Sequence, residues 1–146
     1  MIVKILFTIR SSVLLARGIL QNVELLFARR VENLYAEVIV GIQARRLDRV
    51  FHYRIPLELA NKTALGSQVI IPFGHKKVSG IVVGFTEKPD VNEDKLKEII
   101  SVKDSEPILN AELLMLAKWM SEKYGALLID CLRCIMPAGI EIKMQE

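Results

Sequence analysis

The chain has 146 residues, of which 51% are hydrophobic and 25% charged, with a formal net charge of +3. That length suits one domain with a real core, and that apolar content excludes a disordered chain. The small net charge excludes a polycationic coat for nucleic acid, and its distribution is uneven. Residues 1–35 hold Lys4, Arg10, Arg17, Arg29 and Arg30 against Glu24 and Glu32, so residues 36–146 are neutral as a whole. Across residues 45–77, Arg45, Arg46, Arg49, Arg54, Lys62, Lys76 and Lys77 face only Asp48 and Glu58, with His52 and His75 nearby. A local excess on a neutral body predicts a directed contact with a phosphate backbone.

Residues 1–30 are apolar but interrupted by cations at positions 4, 10 and 17, too often for a signal-peptide core or a bilayer span. Val13, Leu14, Arg17, Leu20, Val23 and Leu25 to Phe27 leave an amphipathic surface helix open. A second expectation is genetic. Arg29-Arg30 reads as AGG-AGG, a ribosome-binding sequence, and Leu34 as TTG, an alternative start, so residues 1–33 are expected to be translated upstream sequence. The alternative is a genuine helical extension packed on the body.

From Ala36 the pattern becomes that of strands. Residues 36–43 (AEVIVGIQ) alternate and are rich in β-branched residues, which predicts the first strand. A charged connection, 45–49, leads to a second strand over 50–55 that Pro56 stops; a loop or short helical turn over 57–66 ends in Gly66. Residues 67–73 and 77–86 predict a hairpin through Gly74-His75-Lys76. Gly80 and Gly84 inside the second arm predict bends or close backbone approach. Residues 87–94 read as a solvated acidic loop, and 96–102 as a short strand completing the sheet.

At Asn110 the period turns helical. Asn110 is a suitable cap, Glu112 lies in the first turn, and Leu113, Leu114, Leu116, Ala117, Met120 and Tyr124 predict one broad apolar face, ended by Gly125. A shorter helix over 127–135 is terminated by Pro137. The expected architecture is therefore α+β: a small five-strand barrel over 36–104, two packed helices over 105–140, and the start of a linker at 141–146.

Cys131 and Cys134 form one C-x-x-C inside the second helix. A zinc site wants four ligands, and a thioredoxin-like motif wants a strand before the first cysteine, so free thiols are expected; a redox pair and half of an intermolecular metal site stay as alternatives. There is no phosphate-binding loop and no nucleophile, histidine and acid set, so no catalytic residue is expected and this chain alone should not hydrolyse ATP.

Five phrases recur in order: LDRVFHYRIP at 47–56, PFG at 72–74, GIVVG at 80–84, DSEPIL at 104–109 and MPAGI at 136–140. Through them the stretch from Ala36 to Ile140 resembles the amino-terminal, 3′-DNA-end-binding domain of the PriA (primosomal protein N′) helicase family. The resemblance implies a module that recognises the 3′ end of the nascent leading strand at stalled forks. It implies bacterial cytoplasm, no membrane, and as partners forked DNA, the helicase domains and other restart proteins. The cofactors of the full-length family, ATP with magnesium and a structural zinc, are expected outside this chain, which itself has none; it looks like a fragment ending before the helicase motors. Family members usually begin close to the first strand, which supports the late start at Leu34. The alternative from another class is a protein-interaction barrel whose helices dock a partner domain.

The expected DNA-binding residues are Arg49, Phe51, His52, Tyr53, Phe73, Gly74, Lys76, Lys77 and Lys97. Phe51 and Tyr53 share a strand face and are either barrel core or a wall on which a terminal base stacks. In the resembled family the triplet is usually Phe-Asp-Tyr, with the acid contacting the terminal nucleotide. His52 replaces that acid and is either a contact residue or a solvent-facing histidine without a ligand. Gly74 is a turn glycine or a point of close approach for sugar-phosphate. Lys76 and Lys77 are phosphate contacts or a solvated turn, and Lys97 matches a family lysine near the pocket.

Overall fold

The computed structural model describes residues 23, 25–26, 33–140 and 144–145. The expectations about an upstream leader or helical extension fall almost wholly outside those residues. Six strands form one antiparallel sheet: β1 (Tyr35–Val40), β2 (Val50–Arg54), β3 (Gln68–Phe73), β4 (Lys76–Thr86), β5 (Ser101–Val102) and β6 (Met144–Gln145). The ladder runs β2-β1-β4-β3-β5, with β6 beside the start of β4 at Lys77 and Val78.

Alternation sorts the sheet into two faces, each with its own core. Ala36, Val38, Val40, Tyr53, Val69, Ile71, Val78 and Val82 pack together on the concave side with Ile55 and Ile99, and Phe51 and Phe73 sit at the margin. On the convex side Ile39, Ile81 and Val83 pack against Leu109, Leu114, Ala117, Ile129 and Leu132. The helices therefore lie on the outer face, and the mouth of the inner one stays open.

Both glycines expected to allow close approach do so. A Cβ on Gly80 would run into Val38 Cγ1 and lie 2.9 Å from the Ile39 carbonyl oxygen, while Gly84 leaves room for the Glu37 carboxylate. The β1–β4 register shifts at Glu37/Val38, beside Gly84. Such an irregularity bends the strand and suits a curved sheet.

The α+β class and the two helices stand, but the barrel is not closed. The expected strand over 96–102 shrinks to Ser101–Val102, because residues 97–100 divide their hydrogen bonds between two neighbours. Arg54 N–H donates to the Lys97 carbonyl (2.9 Å) and Ile99 N–H to the Arg54 carbonyl (3.0 Å), while Ile100 N–H donates to Ile70 (2.9 Å). This segment ties β2 to β3 at one end only, through a single parallel bridge, Arg54 to Glu98. Beyond it the two strands splay apart. β6 lies within residues expected to begin a linker.

Helix α1 (Ala111–Tyr124) starts where expected: the Asn110 side chain accepts from Leu113 N–H at 2.9 Å, and Gly125 closes it at φ +63°. Its buried face is narrower than the sequence suggests. Leu114 and Ala117 are buried and Leu113 and Met120 half-buried, whereas Met115 (71% exposed), Leu116, Trp119 (53%) and Tyr124 face solvent. Helix α2 (Leu128–Ile135) takes its cap from far away, Leu128 N–H donating to Asp48 Oδ1 at 2.9 Å. Arg133 Nη2 donates to the Gly41 carbonyl (2.9 Å) and Gln43 Nε2 to Asp130 Oδ1 (2.6 Å), fastening α2 to the end of β1. Both cysteines are free thiols; Cys131 is buried, which pushes its thiol up, and Cys134 is exposed. Among the described residues no helix is long and apolar enough to cross a membrane, and no three His, Cys, Asp or Glu side chains converge as a metal site.

Candidate nucleic-acid interface

Where β2 and β3 splay, they leave a cleft of about 510 Å³ lined by Arg49 to Tyr53 on one side and by Pro72 to Gly74 with Lys95 to Lys97 on the other. Residues Asp90 and Val91 complete the wall. That volume lies within the range of small-ligand sites. Past Tyr53 the gap is shut by the Arg54 hydrogen bonds to Lys97 and Ile99, so the cleft is blind at that end.

A second cavity of similar size, about 520 Å³, lies on the other side of Arg54 and is lined by Glu58, Glu93 and Glu98 among others. Charge separates the two. The first carries Arg49, Lys95 and Lys97 against Asp90, and the second carries three glutamates against Arg54. Only the first attracts a phosphate.

Seven of the nine residues expected from the sequence line this cleft: Arg49, Phe51, His52, Tyr53, Phe73, Gly74 and Lys97. Lys76 and Lys77 do not. They stand exposed where β4 begins, outside the lining. Val50, Pro72, Asp90, Val91, Lys95 and Leu96 line it without having been singled out. Their signal was weak, since an acidic loop and a strand-end proline look like connections in any sheet.

The three residues of the triplet play different parts. Phe51 is half-buried, meets Phe73 edge-on with ring centroids 5.3 Å apart, and carries the Arg49 guanidinium 4.9 Å above its ring. This arrangement offers an aromatic wall with a cation at its lip. Tyr53 is core. It is 4% exposed, and its hydroxyl donates to the Pro72 carbonyl at 3.3 Å, linking the two walls.

The His52 side chain is 7% exposed and turned to the opposite face of β2, with Nε2 3.8 Å from Glu37 Oε1 and Nδ1 accepting from Asp90 N–H at 3.4 Å. It is thus neither solvent-facing nor pointed into the cleft. The backbone of this residue is another matter. Arg54 turns its N–H and C=O away from β1, so antiparallel alternation turns those of His52 and Val50 the same way, toward the cleft.

On the far wall Gly74 has φ +62° and open space around its α-carbon, and its carbonyl accepts from Lys97 Nζ at 3.4 Å. The lysine thereby ties the two segments of this wall together. Arg45 and Arg46, in a 3-10 turn (Arg45–Leu47) just before Arg49, extend the basic rim on the β2 side.

Burial pushes the Tyr53 phenol up to about 12 from 10.0. The unfolded chain releases that proton first, so this contribution to stability is complete below pH 10.0 and disappears as pH rises through about 12. Tyr35 is shifted in the same direction, by burial and then by Glu93. Denaturation at pH 9 and at pH 11.5 should therefore show a loss of up to about 2 kcal/mol from Tyr53, and Tyr53→Phe should remove that part of the pH dependence.

The chain is similar to known proteins over most of its length. A family model described as 3′DNA-binding domain (3′BD) matches residues 37–137. The replication restart protein PriA of Bacillus subtilis (strain 168) is 35% identical over 112 residues, covering 77% of this chain and 14% of that protein. The protein of the same name from Haemophilus influenzae is 35% identical over 94 residues, 64% of this chain and 13% of that protein. That from Chlamydia pneumoniae is 35% identical over 106 residues, 73% of this chain and 13% of that protein. The chain thus spans about one-seventh of the length of these relatives.

Proposed function

Because this chain belongs to the PriA 3′ DNA-binding domain family, we propose that its basic, blind-ended cleft receives the last nucleotide of a DNA strand bearing a free 3′ hydroxyl. The observation that carries this reading is the shape of the gap between β2 and β3. It opens to solvent beside Arg49 and Gly74 and stops where Arg54 bonds to Lys97 and Ile99. A chain end fits such a space, whereas a strand passing through does not.

The residues divide the work by chemistry. Phe51 and Phe73 supply a sequence-tolerant stacking surface, worth about 1–3 kcal/mol per base in such sites. The inward-turned amides and carbonyls of Val50 and His52 can bond a sugar hydroxyl or base edge. Arg49, Lys95 and Lys97 meet the phosphates. Position 52 departs from the aspartate usual in the family, and the buried ring of His52 makes the backbone, not the side chain, the contacting group there. Lys76 and Lys77 act as peripheral phosphate contacts. In a full-length protein this module would orient an ATP-dependent helicase at a stalled fork in the bacterial cytoplasm, with ATP, magnesium and zinc bound outside the domain.

Fluorescence anisotropy on matched single strands ending in a 3′ hydroxyl or a 3′ phosphate tests the reading. The hydroxyl end should bind about tenfold tighter, or about 1.4 kcal/mol, and equal affinities would reject a blind pocket. The exposed side of α1, with Met115, Trp119 and Tyr124, favours a second reading as a docking surface for another protein domain. A folded chain that binds neither strand in the same titration leaves docking as its function.

A further inference from the structure

Residues 87–96 run along the outside of β2 as a strap, and they bring Asp90, Val91, Lys95 and Leu96 to the cleft. Ties to β1, β2 and the end of β4 hold the strap, a side-chain hydrogen bond between Tyr35 and Glu93 among them. Thr86 Oγ1 accepts from Lys88 N–H at 3.2 Å, His52 Nδ1 accepts from Asp90 N–H, and Arg54 Nη2 donates to the Glu93 carbonyl at 3.3 Å. The His52 tie is the one nearest Asp90 and Val91. Its acceptor is an imidazole nitrogen, a group that can change from accepting a hydrogen bond to donating one.

We infer that His52 is a proton-responsive positioning residue, which in its neutral form latches the strap onto β2 and on protonation releases that wall of the cleft. The inference rests on the reading of the cleft as a 3′-end site. An imidazole nitrogen that accepts an N–H is unprotonated, so the ring proton sits on Nε2 and faces Glu37. Adding a proton to Nδ1 turns that acceptor into a donor aimed at another donor, and the Asp90 bond is lost.

The surrounding charges make this a switch between two arrangements. Glu37 on β1 favours the doubly protonated ring and keeps it in place beneath the strap. From the strap come the Asp90 amide, which opposes protonation, and the exposed Asp90 carboxylate. Arg54, two residues along on the same face of β2, lies 3.8 Å from Glu98 and is bonded to Glu93. Behind Glu37, β4 presents Gly84, which leaves room for the carboxylate. Acidification therefore leaves His52 beside Glu37 and frees the strap between Lys88 and Glu93.

Two readouts test this between about pH 6 and 8, where imidazoles titrate and carboxylates do not. The first is the hydrogen-exchange protection of the Asp90 amide, corrected for intrinsic rates, in the wild type and in His52→Gln. Protection should fall several-fold on acidification in the wild type and stay flat in the variant. The second is the preference for a linear over a circular single strand of the same sequence, neither of which titrates in this range. That preference should shrink about three- to tenfold with the latch. Asp90 protection that ignores pH in the wild type overturns the latch whatever the DNA does, and so does a preference that stays constant while protection falls. A protein with no preference for linear strands at any pH rejects the end-binding reading itself, and the inference with it.

Discussion

Replacing Gly66 with alanine is expected to cost about 3–5 kcal/mol, most of the stability of a marginal domain. The residue has φ +82°, a conformation that side chains disfavour, and its β-carbon would fall inside the backbone carbonyl of Leu109. Nothing flexible can give way there, because the obstacle is backbone. The same residue also joins the two layers: its N–H donates to Val82 on β4 at 2.8 Å, and its carbonyl accepts from Ile108 at 3.1 Å. Moving the Leu109 segment aside would break that junction and disturb the Asn110 cap of α1.

Gly74→Ala is the control. It has nearly the same dihedral, φ +62°, but nothing lies within 4 Å of the added carbon. It should lose only about 1–2 kcal/mol. Urea denaturation followed by circular dichroism distinguishes the two. Similar losses at both glycines would show that the dihedral alone matters and that the Leu109 contact is soft.

Reversing the cations at the lip of the cleft, Arg49→Glu with Lys97→Glu, should weaken binding to a 3′-hydroxyl single strand by about 100-fold or more. Each charge-assisted contact is worth about 1.5–3 kcal/mol, and about 1.4 kcal/mol is a factor of ten. The dependence of log affinity on log salt should flatten by about 0.7 for each phosphate contact removed. Lys97→Glu also breaks the tie to the Gly74 carbonyl, so the far wall loses support along with its charge.

Lys76→Glu with Lys77→Glu changes charge by the same amount at the start of β4, outside the cleft lining. Its loss should be smaller, and alike for 3′-hydroxyl and 3′-phosphate strands, as expected of a long-range field. If this pair proves the more damaging, the strand does not enter between β2 and β3. Circular dichroism on both doubles confirms that the fold survives, since all four side chains are exposed.

Much of this protein was legible in one dimension. β-branched residues mark β1 to β4, because they suit a pleated sheet whose two faces are packed, one in the concave core and the other, on β1 and β4, against the helices. Asn110 and Gly125 mark the ends of α1 through local backbone chemistry that needs no distant partner. The triplet at 51–53 and the PFG at 72–74 mark the candidate cleft because they lie on β2 and β3, the strands whose gap forms it. The family resemblance was readable for the same reason, as it resides in those local phrases.

What the line of letters could not convey depends on contacts between distant segments. The residues 97–100 look like strand, yet they share their hydrogen bonds between β2 and β3, and this leaves the barrel open and its cleft blind at Arg54. The acidic loop 87–94 looks merely solvated until the fold lays it over His52. Leu116 and Tyr124 read as part of one broad apolar face, but only the packing of α1 on the sheet decides which side is covered, and it leaves both exposed. Position 52 carries the sharpest case. Alternation alone puts its ring on the opposite face from Phe51, and it took Glu37 on one neighbour and Asp90 on another to turn an expected ligand into a buried support.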